Sequence, residues 1–181
     1  KSLLDNDARV RRAVVYHLEK VSKKIQPVYE NLLLDSSYAN IKMTLEKLIE
    51  EFPESKEKYL KITHLDAQKN DLLNIAHLSF KAQDDDPFAF SDLIDYAGPS
   101  FEFRTRIKAI EALTDLAYQG DDFTFLLIDA SVNFNRRLAG VASNVLMSIE
   151  NQDLLIEALE KGDFDKNERK RIEQLKTKLG I

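Results

Sequence analysis

Apolar residues recur along most of this chain at intervals of three and four, the spacing of one face of an α-helix. Read with its turn residues, the pattern predicts helices near 7–21, 25–35, 38–52, 54–62, 66–83, 88–97, 102–118, 122–132, 135–149, 151–161 and 166–179. The punctuation has a mechanism at several junctions. Pro27 and Pro53 suit first-turn positions, where the missing N–H is one no helix would use. Asp84-Asp85-Asp86-Pro87 reads as an acidic loop whose last aspartate caps a helix that begins with proline. Gly120-Asp121 and Gly162-Asp163 mark helix ends, with glycine free to take the left-handed conformation and aspartate placed to accept the next helix's amides. Asp165 followed three residues later by Glu168 has the form of a capping box.

Four of the segments share a plan: a cap, a basic residue, then an apolar face. Val10-Arg11-Arg12-Ala13-Val14-Val15-Tyr16-His17-Leu18 lies without gaps over Thr105-Arg106-Ile107-Lys108-Ala109-Ile110-Glu111-Ala112-Leu113. Asn40 to Leu48 supplies a weaker third copy. Asn135-Arg136-Arg137-Leu138, leading to Val141, Ala142, Val145 and Leu146, supplies a fourth. Such hairpins cannot bury their apolar faces alone, but stacked neighbours share a continuous core. The expected fold class is all-α: a HEAT/ARM-like superhelical array of antiparallel helical hairpins, forming one domain over 1–181 with a concave face. Arg11 and Arg106, at equivalent places, are expected to pair with loop aspartates of adjacent repeats and fix the stacking angle.

Composition narrows the function. The 181 residues include 5 glycines, 4 prolines and no tryptophan, a usage that fits helices better than sheets. With no cysteine there is neither a disulfide framework nor a thiolate metal site. A net charge of −5 argues against a surface built to neutralise phosphates, so no nucleic-acid partner is expected. No apolar run approaches the roughly 20 residues of a membrane span, so no membrane insertion is expected either. The chain opens on Lys1-Ser2-Leu3 without methionine, which suggests a piece of a longer polypeptide.

Candidate chemistry is sparse. His17, His64 and His77 include no His-Glu-x-x-His pair, and there is no Gly-x-Ser-x-Gly elbow and no glycine-rich phosphate loop. The site reading is therefore no catalytic, cofactor-binding or metal-ligating residue. Asp84 to Asp86 lack the alternating oxygens, central glycine and distal glutamate of an EF-hand, and Asp121 with Asp122 suits a helix start. Two basic clusters, Arg9, Arg11, Arg12 with Lys20, Lys23, Lys24, and Lys166, Arg169, Lys170, Arg171, Lys176, Lys178, read as solvated or structural faces. Tyr96, Phe101, Phe103, Phe123, Phe125 and Phe134 read as aromatics that seal helix junctions, with a peptide groove as the sharper alternative.

One stretch, FSDLIDYAGPSFEFRTRIKAIEAL from Phe90 to Leu113, resembles the C-terminal helical region of bacterial, Bacteroidetes-type zinc aminopeptidases of the membrane alanyl aminopeptidase (aminopeptidase N) family. Leu33-Leu34-Asp35-Ser36-Ser37-Tyr38, Phe52-Pro53-Glu54 and Tyr59-Leu60 resemble it too, in the same order, so that the likeness runs from about Asp7 to Leu146. The resemblance implies a noncatalytic domain that caps the active-site chamber of an upstream catalytic domain and limits peptide access. It implies zinc in that missing domain, with peptide substrate touched by the concave face. Neither the family's zinc motif nor its Gly-x-Met-Glu-Asn-type strand occurs here, so no family site residue carries over. The alternative is a free-standing HEAT-repeat adaptor that binds a protein or peptide on its concave face.

Overall fold

The computed structural model describes residues 2–181, which are all-α: eleven α-helices and three 3-10 turns, with no strand among the described residues. The helices are α1 (Ala8–His17), α2 (Gln26–Glu30), α3 (Tyr38–Glu51), α4 (Lys56–Ala67), α5 (Asp71–Ala82), α6 (Pro87–Ala97), α7 (Phe103–Asp115), α8 (Asp121–Ser131), α9 (Arg136–Leu146), α10 (Gln152–Lys161) and α11 (Lys166–Leu179). They fall into two compact units, Lys1–His77 and Leu78–Ile181, with the division inside α5.

In the first unit α1 and α4 both pack on α3, which contributes Ile41, Leu45, Leu48 and Ile49 to the core. The 3-10 turn Asn31–Leu34 inserts Leu32 and Leu33 against α3 and α4. Tyr59 of α4, fully buried as a ring, gives its hydroxyl proton to Glu30, and Lys58 reaches the same carboxylate at 2.7 Å. In the second unit α6 lies along α7 and α8 along α9, while α7 also meets α9. Leu93, Ile110, Leu113, Phe123, Leu127 and Leu138 form its centre, each buried to within 1%. A buried side chain of this size stabilises by about 1.5–3 kcal/mol through apolar burial.

Several expected boundaries move, each for a local reason. The first predicted helix, 7–21, ends at His17, because beyond Leu18 only Val21 is apolar and buried, too little to hold another helical face. The second, 25–35, is a short α2 followed by a 3-10 turn. The predicted break between 62 and 66 does not occur. Thr63 and Ala67 extend the buried face of α4, and the chain breaks at Gln68–Asn70 instead, where the Asn70 side chain accepts the Leu73 amide at 3.1 Å. Caps expected at Asp86 and Asp165 are present, the latter as a full capping box with Glu168.

The glycines behave differently from expectation. Gly120 (φ −66°) and Gly162 (φ −61°) are extended, not left-handed. The left-handed residue after α7 is Ala117 (φ 52°). Space matters at both: a Cβ on Gly120 would displace the Tyr118 and Asp122 side chains, and one on Gly162 would strike the Phe164 ring and the Ala158 carbonyl.

The two best-matched repeat helices carry the same device. Arg11 of α1 holds Asp35 in a two-pronged ion pair (2.6 and 2.7 Å) and donates to the Asp5 and Asn6 carbonyls at its own helix's approach. Arg106 of α7 donates to the Ala97 carbonyl at the end of α6 (2.9 Å) and pairs with Asp129 of α8 (2.6 Å). Thus each guanidinium ties the segment before its helix to an aspartate further along, a loop residue at Asp35 as expected but a residue within α8 at Asp129, where helix packing supplies the partner. The weaker copies do not repeat it: the position matching Arg11 is Ile41 in one, and Arg136 and Arg137 are exposed without such a tie in the other.

The Arg106 side chain is only 3% exposed, so its removal strands the buried Ala97 carbonyl and leaves a void. Arg106→Ala is expected to lower stability by about 3 kcal/mol in urea unfolding, against about 0.5 kcal/mol or less for Glu111→Ala in the exposed pair with Lys108. The Tyr29 hydroxyl offers the opposite case. It is wholly buried with no hydrogen-bond partner among the described residues, and burial pushes its pKa up to about 12. Tyr29→Phe is expected to leave the melting temperature unchanged or raise it, because the desolvated hydroxyl returns nothing.

Candidate functional site

The residues with the most reactive side chains are dispersed. His17 ends α1 edge-on to Tyr16, and His64 is exposed beside Gln68. His77 is buried, 3% exposed, rather than at the surface or half-buried. It shares a 2.5 Å hydrogen bond with Thr63, whose hydroxyl also contacts the Tyr59 carbonyl at 3.0 Å. Among the described residues no three His, Asp or Glu side chains gather closely enough to hold a metal ion. No helix among them is long and apolar enough to cross a membrane.

The arginines of the basic clusters are largely engaged within the fold, whereas Lys20, Lys23, Lys24, Lys166 and Lys170 are exposed. In the first basic cluster Arg9 pairs with Asp7, Arg11 with Asp35, and Arg12 bonds Asn40 and Ser37. Burial raises the Asp35 carboxyl pKa, but the hydrogen bonds from Arg11, the Ser37 amide and Asn40 outweigh it and hold the group below its ordinary value. In the terminal cluster Arg169 caps the Phe164 carbonyl at 2.7 Å, Arg171 reaches the Val132 carbonyl, and Lys178 reaches Asn144. Asp86 caps α6, and the Asp122 carboxylate accepts both the Phe123 amide and the Tyr118 hydroxyl.

The aromatics divide. Phe123 is core, Tyr96 packs on Phe101 at 4.6 Å, and Phe90 stacks on Tyr118 at 5.3 Å. Phe125 and Phe134, expected to seal junctions, do not: they are 52% and 84% exposed. Each borders a cleft of the second unit.

The larger cleft, about 510 Å³, lies between α8, α10 and the turn leading into α11. Ile128 of α8, Val132 at its C-terminal cap, and Leu154 and Ala158 of α10 give it an apolar lining, to which Phe125 and Phe164 add their rings. Its rim carries Asp129, Glu157, Asp163 and Glu168 against one ammonium group, Lys161. Lys161 is held by Glu157 at 2.8 Å, and that hydrogen bond lowers the Glu157 pKa. The Phe164 wall is fixed by its surroundings. Gly162 donates to the Ala158 carbonyl, Phe164 donates to the Gly162 carbonyl, Arg169 grips the Phe164 carbonyl, and the Asp165 capping box follows at once. A smaller groove of about 430 Å³ between α9 and α11, beside Phe134, has the opposite character: Arg136, Arg171 and Lys178 line it, with no carboxylate.

Sequence reasoning assigned Phe125 to the core because α8 reads Phe123-Thr124-Phe125-Leu126-Leu127-Ile128, too apolar throughout for periodicity to choose a face. Gly162 to Asp165 read only as punctuation between helices. The comparisons with known proteins add no identity: no family model, curated protein or solved structure matches the chain.

Two measurements check this geometry. Gly162→Ala places a methyl against the Phe164 ring and close to the Ala158 carbonyl, so it is expected to cost about 1–3 kcal/mol and to shift the Phe164 ring resonances. The depressed Asp35 pKa means that the unfolded chain binds its proton more readily. The stability from this group is therefore complete above the unfolded carboxylate value of 3.8 and is lost as pH falls through the lower folded value. Melting temperatures between pH 7 and pH 2 (about those limits) are expected to fall in that acid window, and Asp35→Asn is expected to be less stable at neutral pH with a shallower acid slope.

Proposed function

We propose that this chain is a noncatalytic HEAT-like repeat region of a zinc aminopeptidase of the membrane alanyl aminopeptidase family. Its role is to cap the active-site chamber of an upstream catalytic domain and to restrict the peptides that enter. The reading rests on the sequence resemblance and is supported by the adjacent helix pairs α6–α7 and α8–α9. The stretch that resembles the family, Phe90 to Leu113, forms the α6–α7 pair held by Arg106, and the same arginine device recurs at Arg11. A region of stacked hairpins gives a wall whose function is shape, and water and bulky substrates are excluded when such a wall closes over a site. No residue of this chain is assigned to zinc or to bond cleavage.

A free-standing adaptor is the second reading, favoured by the apolar cleft beside Phe125. The size of the native polypeptide separates the two. An antibody raised against this chain, used on a denaturing gel of the source cells, is expected to mark a band several times larger than 20.8 kDa. The purified chain is expected neither to retain stoichiometric zinc nor to hydrolyse an aminoacyl reporter. A native band near the chain's own mass, or hydrolysis by the pure chain, overturns the aminopeptidase assignment.

A further inference from the structure

The cleft between α8, α10 and the Gly162–Asp165 turn combines features that seldom coincide on a surface without purpose. Phe125 holds a half-exposed ring at its edge although α8 otherwise supplies core residues. Phe164 faces the same cleft from a turn locked by four separate hydrogen bonds, so the gap between the walls exists before anything enters it. Preformed apolar clefts of about 300–1,000 Å³ with a few placed polar groups are the usual form of ligand sites, and this one is about 510 Å³.

Charge decides what would fill it. Four carboxylates line the cleft against one ammonium group; Glu157 holds that ammonium, Asp129 holds Arg106 and Glu168 accepts the Asp165 amide, so the lining carries a net negative charge with Asp163 its uncommitted member. Arg106 answers Asp129 from beneath, but its side chain is 3% exposed and presents no cation to the cleft. Asp163, in the cleft lining, makes no hydrogen bond or ion pair among the described residues. An anionic occupant would meet this ring at a loss, whereas the groove between α9 and α11 offers such an occupant three basic side chains and no carboxylate.

We propose that the acidic-rimmed cleft is a docking site for a basic, apolar peptide segment. One bulky aliphatic or aromatic side chain of that segment enters between Phe125 and Phe164, and flanking Lys or Arg residues meet Asp163, Glu157 and Asp129. The rings supply the buried anchor, and the carboxylates supply orientation and selection by charge. The inference stands on the second unit alone and does not depend on the aminopeptidase reading.

The test uses the whole 181-residue chain and a fluorescein-labelled peptide, Gly-Lys-Phe-Arg-Gly, followed by anisotropy and by amide chemical shifts. Binding is expected in the range of about 10–100 μM, weakening as salt rises from about 50 to 300 mM. Phe125→Ala and Asp163→Lys are each expected to weaken it about tenfold or more, with unfolding midpoints close to the parent's; both positions are exposed enough to change without loss of the fold. Shifts are expected at the amides of Phe125, Ala158 and Phe164. Peptides with Phe replaced by Ser, or Lys and Arg by Glu, are expected to bind at least about tenfold more weakly. The proposal is overturned by no binding of the probe up to about 1 mM, by equal binding of the acidic peptide, or by shifts that map elsewhere. A self-associated chain that Phe125→Ala renders monomeric also overturns it, since a second copy would then be the occupant.

Discussion

A helical hairpin leaves carbonyl groups at its ends that no helix can satisfy, and here a guanidinium group takes up that duty. Arg106 is buried among apolar neighbours, yet its charge is answered on two sides, by the Ala97 carbonyl and by Asp129. Without the first contact the end of α6 would carry an orphaned acceptor in the core. Without the second, a buried cation would lack its counter-charge, which is the costly case for ion pairs. Because the planar fork fixes direction as well as distance, the same residue that satisfies the end of α6 also ties α7 to α8 through Asp129. Arg11 does the equivalent work in the first unit, with Asp35 as its anchor and the carbonyls of Asp5 and Asn6 as its second partners.

Placement of α8 then determines the cleft. Once Phe123, Leu127 and Ala130 are turned into the core, Phe125 and Asp129 are left on the opposite face, because helical residues two positions apart cannot share one side. Asp129 thus belongs both to the buried tie and to the acidic rim. The far wall follows from a different constraint. Gly162 has no side chain, so the Phe164 ring can fold over it, and the bond from Arg169 with the Asp165 cap holds the turn in that form. The result is an apolar gap with fixed walls and a negative edge, placed beside a groove of the opposite charge.

Much of the helical frame was legible from residue spacing. Capping signals act over three or four residues, so Asp86 with Pro87 and Asp165 with Glu168 could be read directly, and both caps are present. The junction at Gln68–Asn70 was missed because it contains neither glycine nor proline, and Asn70 is a cap whose meaning depends on Ala67 being buried behind it. The glycines were recognised as boundaries for the wrong reason, since crowding by Tyr118 and Phe164 is a contact that local sequence does not display.

By itself, then, the sequence determined an all-α chain, the arginine pair at Arg11 and Arg106, and the lack of any familiar catalytic motif, because these rest on residue type and short spacing. Only the tertiary structure decided which aspartates those arginines hold, that His77 is buried against Thr63, and that Phe125 faces outward while Phe123 faces in. Partners 23 and 24 residues apart are chosen by how helices pack, and a run as apolar as Phe123 to Ile128 has no face until its neighbours give it one.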